Sequence, residues 1–279
     1  MLSGFINLLP QDYSFTQWFV LCICAVCVGI NKTGLPGLGI VVVPLIAAFF
    51  PAKASTGLLL PLLAMADLFA VGYYHSHAKW NHILRLLPAA LVGIAAGSLT
   101  VRHIADFQLA PVIGVIVLVM LVLNYLRDRK QQDVFHPVRG KASEMPDGHQ
   151  RWPDSNGINV PQHWLFAVAM GFFAGLTTQL ANAAGPIMII YLLAMRLPKY
   201  EFIGTGAWFF LIINWLKIPV FVSEGRITLE SACADIIMLG LIAVGAFAGI
   251  LILKNISHKW FKRAVEILAA AAAIKLLLF

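Results

Sequence analysis

The sequence predicts an all-α, polytopic membrane protein built as two inverted repeats, each opening with a broken or re-entrant helix pair. Three observations carry this. Of 279 residues, 60% are hydrophobic and 12% charged, about half the charged fraction of a soluble domain and too little for a water-facing surface. The apolar residues come in blocks matching the ~20 residues that a helix needs to cross hydrocarbon. The blocks form two groups in which glycines and prolines recur in the same order, as a duplicated unit would leave them.

In chain order, hydropathy places helices at 15–31, 35–50, 55–75, 83–103 and 107–126, then at 163–181, 184–196, 200–222, 229–253 and 259–279. Residues 1–126 form the first repeat and 163–279 the second. Met1 to Ser14 carries Asp12 but no Lys or Arg, so it lacks the basic start of a cleaved signal peptide and the first helix is read as a retained span. Residues 127–162 hold Arg127-Asp-Arg-Lys130, Arg139, Lys141, Pro146 and Pro153; charge with Pro and Gly predicts a flexible linker outside the membrane. Cys22, Cys24, Cys27 and Cys233 sit inside apolar blocks and are read as small buried hydrophobes.

With a shift of 146 to 152 residues, Gly29 falls on Gly175, Gly39 on Gly185, Pro51 on Pro198, Gly57 on Gly204, Gly93 on Gly245 and Gly97 on Gly249. The balance of Lys and Arg orients the halves. If each half crosses an odd number of times, Lys79, Arg85, the 127–151 cluster, Arg196, Lys199 and the 254–263 cluster share one side. Only Lys53, Arg102 and Arg226 face the other. The rich side is then cytoplasmic, the linker inside, both termini outside, and the second half inverted.

Two stretches interrupt apolar helix at equivalent places, Gly29 to Gly39 and Gly175 to Pro186. Broken backbone at membrane depth must be enclosed by protein or line a wet cavity. Pro36 and Pro186 suit the first turn of a restarting helix, whose unpaired N–H groups and positive dipole end favour an anion. Candidate substrate-binding residues are therefore Asn31, Lys32, Thr33 and Gly34 in the first half, and Thr178, Gln179, Asn182 and Gly185 in the second, with Thr177 beside them. Asp67 is a mid-helix carboxylate, and the repeat sets Asn214 opposite it; both are coupling candidates, since an intramembrane acid is costly unless it is paired or protonated. Asp67 could carry a proton, pair with Lys32, or serve structure alone.

Other features read as structural. Lys217 and Lys275 are expected to snorkel from helix ends, so Lys217→Ala is expected to leave anion binding intact. Glu266 pairs with Lys262. The Gly93/Gly97 and Gly245/Gly249 pairs make close helix contacts, and His75, His77 and His82 lie in a solvated loop. No cofactor, metal or nucleic acid is expected. The expected partners are a small anion and the bilayer; proton or sodium coupling, and a homodimer, stay open.

The run Gly34-Leu-Pro-Gly37-Leu-Gly39-Ile-Val-Val-Val-Pro44, the Pro88 to Gly97 segment and their second-half echoes resemble the sulfite exporter TauE/SafE family of permeases. That resemblance implies a secondary transporter of the cytoplasmic membrane for sulfite, a sulfonate or a related sulfur-containing or carboxylate anion. The chain departs from the family's glycine-rich runs at Lys32 to Pro36 and at Gln179 to Ala184, the positions expected to set substrate choice. A channel, receptor or assembly partner, and a membrane enzyme or redox protein, are the competing classes.

Overall fold

The computed structural model describes residues 10, 12–34, 38–134, 164–195, 197 and 199–255. These form helices α1 (Phe15–Thr33), α2 (Gly39–Ala47), α3 (Ala52–Tyr74), α4 (Trp80–His103), α5 (Asp106–Val134), α6 (Trp164–Ala181), α7 (Gly185–Ala194), α8 (Lys199–Ser223), α9 (Leu229–Ile237) and α10 (Leu239–Asn255), with a 3-10 turn at His75–His77. The expected helix at 259–279, most of the linker, Pro36 and Pro198 lie outside the described residues. Three boundaries differ from expectation. α5 runs eight residues into the region read as linker, because Arg127 to Val134 holds no Gly or Pro to stop it. The helix expected at 35–50 starts at Gly39. That expected at 229–253 is two helices bent by 45°, divided at Met238 just before Gly240.

Six described helices are long and apolar enough to cross a membrane, seven if α9 and α10 make one span. α2 and α7 have nine and ten residues, about 14–15 Å of helix and half of a hydrocarbon core. Each folds back along its predecessor. The Gln17 amide near the start of α1 donates to the Phe49 carbonyl beyond the end of α2 at 3.0 Å, and the Tyr13 and Phe50 rings meet edge-on. In the second half, Phe166 near the start of α6 stacks on Tyr191 near the end of α7. The α1–α2 hairpin opens at the end of the bundle that holds Lys53, whose Nζ donates to the Ile104 carbonyl. The α6–α7 hairpin opens beside His82, which meets the Tyr191 hydroxyl.

The principal packing crosses between the halves: α4 on α6, α10 on α1, and α3 on α8. Two of these interfaces use equivalent glycines. A Cβ on Gly175 would collide with the Ala90 backbone, one on Gly93 with that of Phe172, one on Gly29 with Ile242, and one on Gly245 with Val26. Small-residue faces let helices touch backbone to backbone where lipid supplies no hydrophobic drive. α3, the most enclosed long helix, runs against α8 from Gly57, which abuts the Arg226 carbonyl, to Tyr74, whose carbonyl abuts Gly204. Asp67 lies ten residues after Gly57, and Asn214 ten after Gly204. Each is therefore about 15 Å along its helix from that glycine.

Candidate functional site

α1 ends in Asn31, Lys32 and Thr33, and the chain restarts as α2 at Gly39, whose N–H donates to Asn31 Oδ1 at 3.0 Å. That side chain caps one of the donors a helix start leaves open. Lys32 turns inward. Its Nζ lies 2.6 Å from Asp67 Oδ1 and 4.2 Å from the Phe210 ring centroid. Asn214 Nδ2 donates to the other Asp67 oxygen at 2.6 Å. The fully buried carboxylate is thus held by one cation and one amide from two different helices.

The second break is built differently. α6 stops at Asn182, which has φ +53°, a left-handed conformation that Asn tolerates better than most side chains. Its N–H donates to the Thr178 carbonyl, and the Ala183 N–H reaches Thr177. Asn182 Nδ2 donates to the Thr56 carbonyl at 2.8 Å, tying the break to α3. Asn182 Oδ1 accepts from Lys217 Nζ at 2.7 Å, and Lys217 also donates to the Thr178 hydroxyl and carbonyl at 2.8 and 2.9 Å. Lys217 is 0% exposed, so the expectation that it snorkels is wrong. It lies three residues past Asn214, about 4.5 Å further along α8, which continues to Ser223.

A cavity of about 130 Å³ lies between the two breaks. Asn31, Lys32 and Gly39 line it from the first hairpin, Thr178, Asn182, Gly185 and Pro186 from the second, and Phe210 and Asn214 from α8. Asp67 stands one layer back, behind Lys32. Three expected site residues do not line the cavity. The Thr33 hydroxyl donates to the Gly29 and Ala246 carbonyls, and Gly34 packs on Gly249, because the small-residue face of α10 draws the end of α1 toward it. Gln179 turns to Glu224, donating from Nε2 at 3.1 Å. Thr177 bonds back to the Phe173 carbonyl on its own helix.

Hydropathy missed a polar cluster between the cavity and the end of the bundle where α8 terminates. Glu224 and Arg226 form an ion pair at 3.1 Å with side chains 2% and 0% exposed. Arg226 also donates to the Gln179 carbonyl and the Thr56 hydroxyl, and the Ser98 hydroxyl donates to Glu224. In the sequence, Glu224-Gly-Arg226 has the composition of a surface turn; only its enclosure by α3, α4 and α6 makes it interior. Asp235 on α9 was also missed. It is fully buried, and neither carboxyl oxygen has a hydrogen-bond partner among the described residues. Among the described residues no group of three His, Cys, Asp or Glu is placed to hold a metal. Lys79 pairs with Glu201 at the opposite end at 2.9 Å, half exposed.

Against known families, the chain matches the one described as Sulfite exporter TauE/SafE over residues 21–276. No curated protein and no solved structure matches it. The match takes in both helix breaks, the Lys32–Asp67 pair and Lys217, so the cavity and its charges lie inside the family's own sequence span: the chain is a multi-pass membrane protein of the sulfite exporter TauE/SafE family of transporters.

Proposed function

We propose that the protein is a secondary transporter that carries a small anion through the cavity between its two hairpins, with sulfite, a sulfonate or a related carboxylate as substrate. The observation that carries this reading is that both helix breaks line one cavity, with Lys32 on its wall. Hairpins opening at opposite ends and glycine interfaces exchanged between the halves support inverted repeats, which in transporters rock about a central site. The Lys and Arg balance supports a cytoplasmic-membrane orientation with the linker inside and both termini outside.

Lys32 is held by Asp67, so the carboxylate occupies the place an anion would take. A proton on Asp67 releases the lysine, and anion and proton then move together. Uptake of radiolabelled sulfite, a sulfonate and a carboxylate into proteoliposomes tests the reading. Saturable flux of at least one is expected, and none for any would sink transport. Wild-type flux should respond to an imposed pH gradient and Asp67→Asn flux should not; an unchanged response in the variant removes Asp67 as the carrier.

A further inference from the structure

Among the described residues, five enclosed charged side chains surround or adjoin the cavity, and four cancel in pairs. Lys32 faces Asp67 at 2.6 Å, and Arg226 faces Glu224 at 3.1 Å. The fifth, Lys217, has no carboxylate against it among the described residues. Its three short contacts go to the Thr178 carbonyl, the Thr178 hydroxyl and Asn182 Oδ1, which matches the three donors of an ammonium group and gives it no counter-charge. The charged groups that act on it are the four just named. An unneutralised cation this enclosed is costly unless something compensates it. Two of the side chains that hold it, Thr178 and Asn182, are themselves cavity walls.

We infer that Lys217 is the charge that the transported anion neutralises, and that the cavity's resulting net charge of one positive unit makes a singly charged anion the species it binds. This rests on the transport reading above. With Thr178 Oγ1 accepting from Lys217, the hydroxyl hydrogen is left to donate to the anion. A doubly charged anion fits only when Asp67 has taken a proton and freed Lys32. Lys217 acts through Thr178 and Asn182 and sets charge selectivity, where Lys32 sets coupling.

The probe is methanesulfonate, an anion of fixed single charge, bound to purified full-length protein and followed by calorimetry. Lys217→Met should lower its affinity at least about tenfold, and adding Asp67→Asn, which restores one net positive charge through Lys32, should recover most of it. Wild-type affinity in Lys217→Met, or no recovery in the double variant, overturns the assignment and leaves transport standing. Thr178→Val keeps the lysine and removes the donor. It should cost about tenfold, and unchanged affinity overturns the inference even if Lys217→Met does not fold. A wild-type protein that binds none of methanesulfonate, sulfite and acetate overturns the transport reading and this inference together.

Discussion

At the end of α1 the break carries its own cation, Lys32, and α3 answers it with Asp67. At the end of α6 the position equivalent to Lys32 is Thr178, and the cation arrives from the neighbouring helix as Lys217. The helix starts differ as well. Asn31 plugs the start of α2, whereas Gly185 at the start of α7 has, among the described residues, nothing within 4 Å of where a Cβ would stand. Both halves hold a long helix, a break and a short helix, and the chemistry at the two breaks differs. The two halves bring two breaks to one cavity, and a few differing side chains give one break a cation paired with a carboxylate and the other a cation held, among the described residues, by neutral groups.

The two ends of the bundle should differ most at the polar cluster beyond the second hairpin. Glu224→Gln leaves Arg226 buried without its partner, which typically costs 3–5 kcal/mol. The pair at the other end, Lys79 with Glu201, is half exposed, so Glu201→Gln should cost less than ~1 kcal/mol. Thermal unfolding in detergent checks both. Similar losses in the two variants would mean that the two ends of the bundle are equally wet, and that Arg226 is not sealed from water by Thr56, Gln179 and Ser98.

A smaller effect tests what the two halves share. Gly29→Leu and Gly175→Leu push side chains into the backbones of α10 and α4 respectively, overpacking that costs about 1–3 kcal/mol or more, because main chain cannot step aside. The two should lose comparable stability and yield of monodisperse protein. If Gly175→Leu is harmful and Gly29→Leu is not, the interfaces are unequal in strength and the packing symmetry is only a likeness of sequence.

The glycine register was legible because close backbone approach admits almost nothing else, and Asp67 opposite Asn214 followed from the repeat alone. Both breaks were legible from the density of Gly, Pro and polar residues. The orientation of side chains around them was not. Thr33 and Lys32 are adjacent, yet a turn of about 100° between neighbours in a helix sends one to α10 and the other to the cavity. Lys217 and Arg226 were misjudged for a related reason. Hydropathy measures distance from a helix end along the chain, while burial depends on what the next helices place around that end.

The smallest effect separates the two helix starts. Gly185→Ala adds one methyl at the open start of α7 and replaces a poor helix former, so stability should rise by no more than ~1 kcal/mol. Gly39→Ala places its methyl 3.2 Å from Asn31 Nδ2 and disturbs the cap, so it should lose a few tenths to ~1 kcal/mol. Anion affinity should respond in the opposite order. The Gly185 methyl takes room from a cavity of only about 130 Å³ and should weaken a bulky sulfonate a few-fold more than sulfite, while Gly39→Ala leaves their ratio unchanged. A ratio that moves with Gly39→Ala and not with Gly185→Ala would place the anion at the first hairpin's helix start, against the plug that Asn31 makes there.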